Sequence, residues 1–275
     1  MKIQSVSCVY FSPTGTTKQI AESIAQGIGP EVVKMMDITK RSHRESHPSS
    51  FTDDMVILAT PVYYGRVPEE VIPYLTSLKA EQVPVVVVVV YGNRAFDDAL
   101  KELHDIAVED NFVPVAGGAF VAEHSYSSKT SPIALGRPDD GDIHKAQEFG
   151  AAVREKLQRL ESLAHVTPLT IPGQVPYVEP VNLNMIKKAR SAVALTPETD
   201  TSKCTQCGEC VEVCPTGAIS PDDVTQTDRW KCLICFACVK SCPEEARRMN
   251  EPNFQSAIQA LRQNCQDRKE PEIFL

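Results

Sequence analysis

Two rhythms of apolar and polar positions alternate along residues 1–165. Short apolar runs rich in Val and Ile, at 5–11, 32–38, 55–60, 85–91 and 113–122, read as strands. Between them, apolar residues recur at helical spacing over 16–29, 69–78, 96–110 and 142–163. The polar stretch 39–50 reads as a loop. Strands alternating with helices predict an α/β fold, a doubly wound, five-stranded parallel sheet joined by right-handed crossovers. The run VPVVVVVVY at 83–91 is too short to span a bilayer and suits a strand buried on both faces.

The rhythm stops at HVTPLTIPGQVPYVEP, where Pro168, Pro172, Pro176 and Pro180 recur every fourth residue and exclude helix. An extended linker is expected, although Ile171, Val175 and Tyr177 offer apolar surface that could fold back on a domain. A short helix over 184–195 would follow it. Next comes an internal repeat: Cys204-x2-Cys207-x2-Cys210-x3-Cys214-Pro215 recurs 28 residues later as Cys232-x2-Cys235-x2-Cys238-x3-Cys242-Pro243. The expected organisation is therefore a first domain over 1–165, a linker and short helix over 166–195, a small repeated domain over 196–250 and an extension over 251–275.

Composition narrows the function. A net charge of -8, with no long run of Lys and Arg, argues against a nucleic-acid partner. No segment is apolar for long enough to insert in a membrane, and the first residues lack the pattern of a signal peptide, so a cytoplasmic protein is expected. Of ten cysteines, eight fall between Cys204 and Cys242, and thiols clustered in a reducing compartment indicate metal rather than disulfides. Cys8 lies within the first strand and reads as a small buried hydrophobe, while Cys265 has no evident partner.

Three closely spaced thiolates can wrap one corner of an iron-sulfur cubane while the loop amides between them face its anionic core. Zinc ribbons use two Cys-x2-Cys pairs and thioredoxin-type disulfides use one, so triplets ending in Cys-Pro fit neither. The repeat resembles bacterial two-cluster [4Fe-4S] ferredoxins, a small α+β domain. That resemblance implies exchange of the fourth ligand between repeats: Cys204, Cys207, Cys210 and Cys242 on one cluster, and Cys232, Cys235, Cys238 and Cys214 on the other.

The stretch YFSPTGTTKQIAES follows the first strand. Three readings meet there: a nucleotide-triphosphate loop, a Ser/Thr helix cap, and a site for a flavin phosphate. The first lacks its leading glycine and the Gly-Lys-Ser/Thr order. For the third, the hydroxyls of Ser12, Thr14, Thr16 and Thr17, the amides around Gly15 and the start of the next helix can surround a phosphate using dipoles alone. Ser-x-Thr-Gly-x-Thr at this place resembles the phosphate loop of flavodoxins.

Two further loops meet at the same sheet edge. TPVYYGRVPE supplies Pro61, Val62, Tyr63, Tyr64 and Gly65, and YGNRAFDDAL supplies Gly92, Asn93, Arg94, Phe96 and Asp97. Tyr63, Tyr64 and Phe96 offer flat walls for a flavin ring; Gly65, Gly92 and Asn93 allow close approach of backbone. Arg94 would face the ring end that gathers negative charge on reduction.

The order of these parts, with AEHSYS after the fifth strand, resembles the fused flavodoxin-ferredoxin proteins of mainly anaerobic microbes. The resemblance implies an oxidoreductase carrying FMN and two [4Fe-4S] clusters, relaying electrons to or from a redox partner protein or a small-molecule acceptor. The alternative is a non-enzymatic carrier or redox sensor that acts by docking. His124 would border the flavin or serve as a structural histidine. The linker would also allow a homodimer in which one chain's clusters face another's flavin.

Overall fold

The protein is described here from a computed structural model, over residues 1–47, 50–178 and 195–275. Strands β1 (Ser5–Tyr10), β2 (Val32–Asp37), β3 (Met55–Pro61), β4 (Pro84–Tyr91) and β5 (Val113–Val121) pair in parallel in the order β2-β1-β3-β4-β5, the flavodoxin-like doubly wound order. Each strand lies within one residue of the run that predicts it. β4 shows why the sheet is stable, because every residue from Pro84 to Tyr91 is buried. Val85, Val87 and Val89 enter the core on one face, and Val86, Val88 and Val90 enter the core on the other.

Helices α1 (Thr16–Ile28) and α5 (Asp140–Gln158) cover the second face. They approach so closely that a Cβ on Gly27 would fall 2.0 Å from the Gln147 backbone and one on Gly150 2.1 Å from Ile24 O. Helix α5 starts at a capping box in which Asp139 and Asp142 exchange side-chain bonds with each other's backbone amides.

Several elements depart from expectation. The stretch 39–50 contains a helix, α2 (Arg41–Ser46), fixed by buried Arg44 pairing with Glu70 at 2.7 Å. The helix expected over 69–78 shrinks to α3 (Ile72–Leu75), with Pro68 before it, Pro73 in its first turn and turns on either side. The next, α4 (Ala99–Glu109), begins three residues late because Asp97 adopts φ 46.

The proline stretch is fastened to the sheet domain rather than free. Ile171 is buried; Asp98 accepts bonds from Gln174 N and Val178 N; and the Tyr177 hydroxyl donates to Asp105 at 2.9 Å. Val175 stays exposed. The helix expected over 184–195 lies outside the described residues, Leu195 excepted.

The cysteine segment folds as two like halves. β6 (Glu198–Thr199) pairs antiparallel with β7 (Arg247–Arg248), and the halves contribute short helices α6 (Glu209–Glu212) and α7 (Ala237–Lys240). The stretch after it is no loose extension. Helix α8 (Pro252–Asn264) packs Ile258 with Ile133 and buried Cys265. Strand β8 (Glu272–Phe274) then joins the edge of β5, antiparallel, making a sixth strand. Arg137 and Asp142 form a buried ion pair that Arg268 joins, holding this tail against the start of α5.

Asn93 is the tail's other clasp. Its Nδ2 donates to Cys265 O and Asp267 O, and its Oδ1 accepts from Lys269 N. Replacing Asn93 with Ala should remove all three bonds, lower stability by about 2 kcal/mol and speed amide exchange across 265–274, as measured by denaturant unfolding and hydrogen exchange.

Candidate flavin and iron-sulfur sites

A cavity of about 290 Å³ opens at the carboxyl ends of β1, β3 and β4, the place where doubly wound sheets bind ligands. One end is built by the loop into α1. Gly15, with φ 86, caps that helix without a side chain, so the first-turn amides keep no carboxylate or hydroxyl of the cap residue. Thr14, Thr16 and Thr17 line the cavity beside them. Ser12 does not, because its Oγ accepts from Lys18 N at 3.0 Å and its own amide bonds to Thr39. Lys18 points outward toward Glu22.

The second loop is a tight turn in which Tyr63 and Arg66 exchange both backbone bonds at 3.0 Å, with left-handed φ at Tyr64 and Gly65. Pro61, Val62, Tyr63, Tyr64 and Gly65 all face the cavity. Glu102 holds the turn from α4: its two oxygens take Arg66 Nε at 2.8 Å and Nη2 at 2.6 Å, and it also accepts from Val67 N. Arg66 lies over the Tyr177 ring, so the proline stretch buttresses the same turn. Nothing local in the sequence marks Glu102, whose partners are 35 and 36 residues away.

The third loop contributes Gly92 and Arg94. A Cβ on Gly92 would sit 2.3 Å from the His124 ring, so that strand end must be glycine. Three residues of this loop expected at the flavin, Asn93, Phe96 and Asp97, do not line the cavity. Phe96 turns into the core against Tyr91, Asp97 pairs with Arg94, and Asn93 spends its side chain on the tail. Phe96 and Asp97 border a separate groove shared with Pro172 and Lys269.

The rest of the cavity comes from outside these loops. His124 and Tyr126 follow β5, Leu233 and Ile234 lie between the first two cysteines of the second repeat, and Phe254, Ile258 and Leu261 come from α8. Tyr126, Phe236 and Phe254 form an aromatic cluster with centroids 4.7 to 5.8 Å apart. Lys240 of α7 pairs with Glu123 and donates to Ser127 O, fixing the cysteine segment to the loop after β5. Burial raises the Tyr63 and Tyr126 hydroxyls well above their ordinary range and, with the Lys240 and Arg94 charges, pushes His124 down to about 4. His124 Nδ1 accepts from Tyr126 N, which leaves the ring proton on Nε2.

The eight clustered thiols separate into two sets. Cys204, Cys207, Cys210 and Cys242 wall one cavity; Cys214, Cys232, Cys235 and Cys238 wall another. Left-handed residues recur at matching places, Gln206 and Gly208 in one loop, Ile234 and Phe236 in the other, a backbone pattern of the kind that forms anion nests. Ala218 N donates to Cys214 Sγ and Ala246 N to Cys242 Sγ, each at 3.2 Å. A β-branched Ile and a Phe at positive φ are strained, and such strain persists where the surroundings over-determine it.

Among the described residues no three His, Cys, Asp or Glu converge on a point that would hold a single metal ion. Four thiols spread around a cavity suit a cubane, whereas tetrahedral zinc needs sulfurs within about 2.3 Å of one centre. Cys8 stands apart, fully buried, its thiol pushed up to about 12 by burial.

Residues 8–113 match the family model of a flavodoxin domain, and residues 197–220 that of a 4Fe-4S binding domain. The chain joins a flavodoxin domain to a 4Fe-4S domain. Among solved structures, a flavodoxin from Archaea is 17% identical with TM-score 0.39, covering 56% of this chain and 99% of that one. Oxidised flavodoxin 2 from Bacillus cereus is 19% identical with TM-score 0.41, covering 55% and 99%. Rubredoxin oxygen:oxidoreductase from Desulfovibrio gigas is 17% identical with TM-score 0.38, covering 56% and 37%. No curated protein matches by sequence.

The flavodoxin domain's first loop fits a phosphate: the start of α1, where Ser12 Oγ takes the Lys18 amide but Gly15 adds no cap side chain, three hydroxyls, and no acidic residue in the first turn of α1. Thr14→Ala should weaken FMN binding about tenfold, one charge-assisted hydrogen bond, whereas Lys18→Ala should leave it unchanged in flavin-fluorescence titration. His124 yields a pH effect. The folded chain takes up this proton only near pH 4, the unfolded chain near 6.5, so the stability it confers is full above 6.5 and falls between 6.5 and 4. His124→Asn should flatten that part of the urea-unfolding profile.

Proposed function

We propose that the protein relays electrons between FMN in the flavodoxin domain and two [4Fe-4S] clusters, one in each sulfur set. Bound flavin exchanges one or two electrons and the clusters one at a time, so together they couple single-electron and two-electron partners. The observation that carries this reading is a shared wall: Leu233 and Ile234 line both the flavin cavity and the Cys214/Cys232/Cys235/Cys238 cavity. The cluster held there would be proximal to the flavin. The Cys204/Cys207/Cys210/Cys242 set, which includes exposed Cys207, would be distal and face the redox partner.

The chain's own residues serve this role by exclusion and positioning. Tyr63, Tyr126, Leu233 and Phe254 keep water from the gap between the two sites, and neutral His124 presents a donor without adding charge. Each domain contacts the other within one chain, through Lys240 with Glu123 and Lys40 with Glu212, which supports a relay inside one subunit over one crossing between the chains of a homodimer.

Helix α8 lies along the cavity through Phe254, Ala257, Ile258 and Leu261. This covering supports a second reading, a carrier whose output is delivery to a protein partner rather than turnover of a small acceptor. Protein purified without oxygen should contain one FMN and about eight irons per chain; a colourless, zinc-loaded protein would overturn the relay. Stopped-flow reduction should show one flavin and two cluster phases, and Cys235→Ser should slow electron passage from the distal cluster to the flavin at least tenfold. Rapid steady-state turnover of quinones, nitro compounds or oxygen would reject the carrier reading.

A further inference from the structure

Arg247 is 3% exposed and lies on β7 between the two sulfur sets. Its Nη1 donates to Thr199 Oγ1 at 2.7 Å and Val224 O at 3.3 Å. Its Nη2 donates to Thr227 Oγ1 at 2.8 Å and reaches Cys238 Sγ at 3.8 Å. Its Nε finds no acceptor among the described residues. Arg247 also lines the cavity walled by Cys204, Cys207, Cys210 and Cys242. One residue thus reaches a thiol of one set and forms part of the wall around the other.

A guanidinium cannot shed its proton in a protein. Buried with only neutral oxygens and a thiol, it is an uncompensated charge, an arrangement that proteins avoid unless an anion is at hand. Its neighbour Arg248 meets Asp200 at the surface at 2.7 Å, whereas no carboxylate pairs with Arg247 among the described residues. The missing anion is supplied if the sulfur cavities are filled, since an iron-sulfur core with four thiolates carries net negative charge and gains one more unit on reduction.

We propose that Arg247 is the shared counter-ion of the two clusters, holding both in place and raising the reduction potential of both. The proposal rests on the reading that each sulfur set holds a [4Fe-4S] cluster. An N–H directed at sulfur and a nearby cation each favour the reduced state. Because one residue does this for both cavities, a change there moves both centres in the same direction, and the driving force between them changes less than either potential.

The full chain carrying Arg247→Gln or Arg247→Lys, purified without oxygen beside wild type, tests this by iron and sulfide content, FMN content and EPR-monitored redox titration. Arg247→Gln should shift both cluster midpoints negative, Arg247→Lys should shift both by less, and flavin content should not change. A shift at one cluster only, or at neither, overturns the proposal. If Arg247→Gln loses iron on purification, chelator-driven iron release decides: loss at both sites in the order Gln faster than Lys faster than Arg supports a counter-ion. Equal loss from Lys and Gln, or loss confined to one site, overturns it. Wild type with only about four irons would instead remove the two-cluster reading beneath it.

Discussion

Eight thiols crowded into one small segment set the terms for everything around them. The segment's own apolar clusters are thin: Ala218, Ile234, Phe236 and Met249 in one, Ile219 and Val224 in the other, completed by the cysteines themselves. Segments with so little to bury fold only when something else crosslinks them. On the reading proposed above, clusters held by sulfur sets drawn from both repeats would provide that crosslink, since Cys242 stands with the first triplet and Cys214 with the second. The strained Ile234 and Phe236 would follow from the same need, turning amides toward an anionic centre.

The sheet domain meets this segment as a preformed partner. Its central strands β1, β3 and β4 are buried on both faces, and its loops are tied down from a distance: Glu102 clamps the Tyr63–Arg66 turn and Asp98 secures the proline stretch. The aromatic cluster of Tyr126, Phe236 and Phe254 then draws one residue each from the loop after β5, the second cysteine repeat and α8. No single segment could form that contact, so the wall between the two kinds of site exists only when all three are folded together.

Much of this was legible in the chain. The valine run of β4 announces a strand buried on both faces, and the cysteine spacing announces iron-sulfur chemistry with few competitors. What stayed hidden depends on long-range partners. The Asn93 side chain is one case: it follows a strand at the ligand edge, yet its amide goes to a carbonyl pair 172 and 174 residues away. Phe96 and Asp97 fall outside the cavity lining, where a left-handed Asp97 turns the chain before α4 begins. Glu102 and α8 carry no motif at all, since an acidic residue in a helix and an amphipathic helix near the end of a sequence are both commonplace. The hydrophobic period located the elements, whereas the pairing of distant polar atoms located the site.

Strand β8 and helix α8 lie in residues 252–275, C-terminal to the five parallel strands and the cysteine repeats. Translation therefore delivers the five parallel strands, then the cysteine repeats, and only afterward the helix along the flavin cavity and the strand that covers the edge of β5. Until then the cavity stays open and the sheet edge stays bare, a template for unwanted pairing. The order of emergence leaves the cavity accessible from that side until α8 arrives.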